Sequence, residues 1–168
     1  MLVYAPAAAE RATLLAAFCM NGEDNEGTVA WGERALQLAE LLGEPETIAH
    51  APNNIGTIEL LDGIPGGREK LERSLALSAD AGFDDHVGRA FLNHAWAITR
   101  TRAYGDLEPI ESGIEACGER GLEVWRLYML AFRARSELDR GLWTEAADKP
   151  PQACFATSGR RRCCGSSG

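Results

Sequence analysis

No apolar run in this 168-residue chain approaches the ~18 residues that a bilayer-spanning helix requires, so no membrane span is expected. The apolar stretch at 14–20 follows Glu10 and Arg11, and no small-residue cleavage site follows a basic start. It therefore does not read as a signal peptide, and a cytoplasmic location is the expectation. Aromatic residues make up only 7% of the chain, too few for a base-stacking nucleic-acid platform. Lysine is almost missing: Lys70 and Lys149 stand against fifteen arginines, a bias that GC-rich codons produce. No two cysteines are spaced C-x-x-C, and no histidine lies near Cys154, Cys163 and Cys164, so a four-ligand zinc site is not expected. The odd total of five cysteines argues against a secreted disulfide framework.

Catalytic signatures are missing as well. There is no G-x-x-x-x-G-K-[ST] phosphate loop, and no serine or cysteine in a nucleophile elbow. His50, His86 and His94 are the acid–base candidates. His94 falls where the helical pattern wants an apolar residue, so it reads as a packed histidine. Asp84-Asp85-His86 reads as a helix start, where carboxylates favour the positive end of the helix dipole. An enzyme is not expected, nor is any catalytic residue, cofactor or metal.

Charge is abundant but uneven. Residues 1–148 carry 13 Arg/Lys and 25 Asp/Glu, a net of −12, whereas residues 149–168 carry four basic residues and no acid. An acidic body of this kind repels phosphate backbones, so direct nucleic-acid binding is not expected.

Against these absences stands a repeat. Gly43, Gly82 and Gly121 are spaced 39 residues apart, as are Glu33, Glu72 and Glu111, and Leu36, Leu75 and Ile114. A fixed period of 20–50 residues marks a stacked-repeat architecture. The units fall at about 5–43, 44–82, 83–121 and an incomplete 122–147. Each unit reads as two helices, the second closed by its periodic glycine, which enters the left-handed region without a Cβ clash. Breakers predict the turns inside the units: 21–24, 62–67, 104–106 and 141–145. Gly56, Ala95 and Ala134, again 39 apart, are small enough to let paired helices approach closely. Tyr104 and Trp143, also 39 apart, are placed to wedge between the helices of a hairpin. Pro52 predicts either a kink or a helix start near it, because proline inside a helix costs about 3 kcal/mol. The predicted fold is an all-α solenoid of antiparallel helix hairpins. Lys149-Pro150-Pro151 breaks the pattern, so 148–168 is predicted to be a disordered tail. A one-base shift of GC-rich codons turns that tail into a helix-like apolar sequence, so a frameshifted end is expected.

The N-N-x-G of the first helix at Asn53-Asn54-Ile55-Gly56, with an aromatic before the second helix, resembles tetratricopeptide repeats. More narrowly, 35–147, including AHAPNNIGTIELLDG, GREKLERSLALSADAG and ARSELDRGLWTEAA, resembles the helical-repeat region of large LuxR-type bacterial transcriptional regulators. The resemblance implies a protein-interaction or signal-sensing scaffold, cut from a regulator without its nucleotide-binding and DNA-reading domains. A free-standing peptide-binding adaptor is the alternative. The resemblance also implies that the first helices line a groove, with positions six and three before the small residue, and one after it, facing a protein or peptide partner. Those positions are His50, Asn53 and Thr57; Arg89, Leu92 and Trp96; Tyr128, Ala131 and Arg135. The missing half of the last unit leaves Leu138, Leu142 and Trp143 uncovered, which predicts self-association through that end.

Overall fold

The computed structural model describes residues 6–148, and among them it is all-helical. The helices are α1 (Pro6–Asn21), α2 (Asn25–Leu42), α3 (Pro45–Leu61), α4 (Gly67–Ala81), α5 (Asp84–Thr101), α6 (Glu108–Glu119), α7 (Glu123–Asp139) and α8 (Trp143–Asp148). The tail predicted at 148–168 lies almost wholly outside the described residues, as do Cys154, Cys163 and Cys164.

Glycine chemistry punctuates the chain as expected. Gly43, Gly82 and Gly121 have φ of 69°, 72° and 70°, a region that admits glycine far more readily than a residue with a Cβ. After α4, Gly82 N–H donates to Ala79 O and Phe83 N–H reaches back to Ser78 O at 2.9 Å. After α6, Gly121 N–H donates to Gly118 O and Leu122 N–H to Cys117 O at 2.8 Å. These bonds satisfy carbonyls that a helix end otherwise leaves open. The odd-numbered helices open at Pro6, Pro45, Asp84 and Glu123, each 39 residues after the last. The even-numbered helices open at Asn25, Gly67, Glu108 and Trp143, at uneven intervals, because the breaker segments before α4 and α6 are longer than the turn before α2.

Consecutive helices pack on each other, and α3 also touches α1 and α5, while α5 also touches α7. The larger core joins α5, α6 and α7 through Val87, Phe91, Ile110, Cys117 and Met129, with Leu75 of α4 against it. The smaller core is built from alanines, Ala12, Ala35 and Ala51, which bring α1, α2 and α3 close. At the α3–α4 crossing the approach is closer still. A Cβ on Gly56 would lie 2.5 Å from Gly67 O and 3.0 Å from Leu71 N, both backbone atoms. Ser74 Oγ, fully buried, donates to Ala49 O at 2.7 Å across the same interface. Alanine normally stabilises an exposed helix interior by about 1 kcal/mol over glycine. At Gly56 the sign reverses: Gly56→Ala is expected to destabilise by about 1–3 kcal/mol through overpacking. Gly118→Ala, whose Cβ would meet only Arg126 Cδ at 3.4 Å, is expected to be neutral or stabilising. Urea titration of the two variants checks the contrast.

α3 does not start near Pro52, one of the two readings offered for that proline; it begins at Pro45, where a proline suits the first turn, and runs through the buried Pro52 to Leu61. Tyr104 does pack on the larger core, and its hydroxyl donates to Asp139 Oδ2 at 2.5 Å. Trp143 does not wedge between helices: it is 73% exposed, with its Nε1 beside Gly141 at the turn.

Candidate functional site

The residues predicted to face a partner divide by helix. On α3, which packs against α1, α2, α4 and α5, His50, Asn53 and Thr57 are all buried. Thr57 Oγ1 turns back to donate to Asn53 O at 2.6 Å. Asn53 is wholly enclosed, and neither its Oδ1 nor its Nδ2 has a hydrogen-bond partner. On α5, Arg89 is exposed, and Leu92 and Trp96 are half-buried. On α7, Tyr128, Ala131 and Arg135 are exposed.

Two clefts gather these side chains. The first, of about 510 Å³, lies between the middle of α1 and the N-terminal parts of α3 and α5 and brings His50 and Arg89 together with His86 and Glu46. The rings of His50 and His86 are 4.7 Å apart at 35°. His86 Nε2 meets Glu46 Oε1 at 2.9 Å, and Phe83 presents its ring edge-on to His86. The Arg89 guanidinium lies 5.7 Å from the centre of the Trp125 ring, a cation–π arrangement. Trp125 itself covers Gly88, where a Cβ would collide with its ring. Burial pushes the His50 imidazole down to about 3, helped by the positive charges of His86 and Arg89, so this ring is neutral at physiological pH.

The second cleft, of about 350 Å³, runs from the end of α1 to α5 and α7 and is aromatic. Met20 and Glu23 form one wall, and Trp96, Tyr128 and Phe132 the others. Arg100 lies 5.9 Å from the Trp96 ring centre and 3.8 Å from Glu23 Oε1. The clefts thus unite His50 with Arg89, and Trp96 with Tyr128. Asn53 and Thr57 line neither of them. Arg135 stands apart, paired with Asp139 at 3.0 Å.

Sequence reasoning passed over Glu46, Arg100, Met20 and Phe132. Glu46, Arg100 and Met20 come from helix ends, and Phe132 lies within α7 but outside the groove positions of the repeat. His86 sits in the first turn of α5, in line with a helix start at Asp84-Asp85-His86, and its ring crosses to Glu46 and His50 of α3. Among the described residues no group of three or more His, Cys, Asp or Glu is placed to hold a metal ion. No described helix is long and apolar enough to cross a membrane. Among the described residues the chain is all-helical, its consecutive helices pack together, and α1, α3, α5 and α7 contribute to the two surface clefts. No protein-family model, curated protein or solved structure matches the chain.

Proposed function

We propose that the chain is a protein-interaction scaffold: a tetratricopeptide-like α-solenoid of 39-residue helix hairpins, the repeat region of a cytoplasmic LuxR-type transcriptional regulator. Three observations support the solenoid reading. The odd-numbered helices start at 39-residue intervals, the left-handed glycines follow the same interval, and the odd-numbered helices touch one another along the row. Units of this kind bury their apolar faces only against neighbours and leave one helix row free for a ligand.

The observation that carries the function is the second cleft. Trp96, Tyr128 and Phe132 offer rigid aromatic surface beside the charged pair Glu23 and Arg100, the composition of a peptide-anchoring hot spot. At the far end Leu138 and Trp143 are 48% and 73% exposed, a surface suited to self-association. Selection of a displayed random-peptide library on the full chain tests the cleft. Enriched peptides are expected to lose at least about tenfold in affinity to a Trp96→Ala/Tyr128→Ala variant, the loss of one modest hot spot. Peptides that bind the variant equally well would remove the aromatic cleft from the account.

A further inference from the structure

Stacked units hide their apolar faces only against neighbours, so the two ends of a row need polar surfaces. Neither end of the described chain has one. At the first hairpin a groove of about 370 Å³ runs between α1 and α2, lined by Ala8, Ala12 and Leu15 on one side and by Trp31 and Leu38 on the other. No residue of α3 lines it, so it lies on the outer side of the hairpin. Leu15 and Trp31 are both exposed there. At the other end Leu138 of α7 and Trp143 of α8 are barer still.

The repeat register defines what fits the groove. Three periods on from Ala8, Ala12 and Leu15 stand Trp125, Met129 and Phe132 of α7. In α7 that face is seated on the preceding hairpin: Trp125 covers Gly88 of α5, Met129 Sδ lies against Gly113 of α6, and Phe132 packs on the same core. The matching face of α1 is therefore shaped for the trailing side of a hairpin. One period on from Gly88 and Phe91, which meet α7, are Leu127 and Leu130, both half-buried. Sizes are exchanged between the two places. Inside the chain the large Trp125 meets a glycine; between the ends the large Leu127 meets the small Ala8, an exchange that packing tolerates.

Two further features of the ends match. Tyr104 reaches the end of α7, where Asp139 receives its hydroxyl and Arg135 pairs with Asp139. Trp143 stands one period on from Tyr104, and three periods back from Arg135 is Phe18 of α1, 76% exposed. The register thus sets Trp143 of one end beside Phe18 of the other. Charge agrees as well. Arg11 and Arg34 also line the groove, are exposed and make no ion pair among the described residues. Against them α8 carries Glu145 and Asp148 and no basic residue.

We infer that the groove between α1 and α2 docks the α7–α8 end of a second copy of this chain. The docking rests on the solenoid of 39-residue hairpins proposed above and supplies the partner of its far end. Such a contact joins two different surfaces, so every added copy leaves one groove and one end free, and stacking continues past the dimer.

Sedimentation equilibrium of the full chain from about 10 μM to about 500 μM, a range in which weak contacts register, tests the docking. The mean mass is expected to rise with concentration without levelling at the dimer. Leu15→Glu/Phe18→Glu blocks the near end and Leu138→Glu/Trp143→Glu the far end, all at exposed positions. Each variant alone should associate at least about tenfold more weakly than the native chain. An equimolar mixture of the two should form a dimer and nothing larger, because one intact groove and one intact end remain. Arg11→Glu/Arg34→Glu should also weaken association at least about tenfold, and it supplies the near-end result if the first variant does not fold by circular dichroism. A native chain that stays monomeric throughout would overturn the inference. So would a near-end variant that still dimerises, which is far end against far end, or a mixture that gives no dimer. Neither variant alters Trp96 or Tyr128, so peptide capture by the near-end variant reads the aromatic cleft separately. Failed stacking with capture intact leaves the scaffold reading standing, and lost capture with stacking intact removes the aromatic cleft alone.

Discussion

Met129→Ala is expected to lower the free energy of unfolding by about 2–5 kcal/mol, the cost of a large truncation in a packed core. Met129 belongs to α7 and is wholly buried. Around it stand Val87 and Phe91 of α5 and Ile110 and Cys117 of α6, so one side chain ties three helices together. Its sulfur lies where Gly113 leaves room: a Cβ there would sit 2.9 Å from Met129 Sδ. The flexible thioether fills an irregular gap that alanine cannot reach, and the surrounding helices close it only in part. Urea denaturation of the variant gives the change directly from the midpoint at constant slope. A midpoint unaltered by Met129→Ala would show that α7 is not packed as described.

Acid is the second strong lever. His50 titrates at its ordinary 6.5 in the unfolded chain but at about 3 in the fold, chiefly because burial disfavours the charged ring. Below pH 6.5 the unfolded chain takes up a proton that the folded chain refuses, so stability falls as the pH drops toward 3. By pH 4 the loss amounts to about 3 kcal/mol, at 1.36 kcal/mol per pH unit. His94, also depressed mainly by its burial and then by Arg68, acts in the same direction. Asp106 and Asp139 are held below the usual carboxylate range, Asp106 first by its hydrogen bond from Arg68 and Asp139 first by that from Tyr104. Their stabilisation is lost only at still lower pH, as they protonate. Thermal midpoints from pH 7 to 4 should therefore drop steeply in the native chain and much less in His50→Gln. An equal slope in the two would mean that His50 is not the buried titrating group.

What the sequence made legible follows from the reach of each interaction. The ends of α2, α4 and α6 were readable because a left-handed cap depends on one residue type at Gly43, Gly82 and Gly121. The turns before α4 and α6 were readable from breaker clusters for the same local reason. The burial of Asn53 and Thr57 was not readable. It depends on how α1, α2, α4 and α5 enclose α3, which the repeat spacing does not encode. The pairing of His86 with Glu46 spans 40 residues and depends on how α5 lies across α3, which no periodicity encodes. Trp143 shares its phase with Tyr104, but Tyr104 has Asp139 of the next unit to receive its hydroxyl, whereas Trp143 is 73% exposed beside the turn at Gly141.

Magnetic-resonance cross-peaks between side chains of the full chain test most directly the stacking of two-helix units along one row. Through-space contacts are expected between odd-numbered helices: the His50 and His86 rings, the Trp125 indole and Gly88 Hα, and the Met129 methyl and Phe91 ring. Strong cross-peaks joining α2 to α6 instead, with those three missing, would contradict the stack.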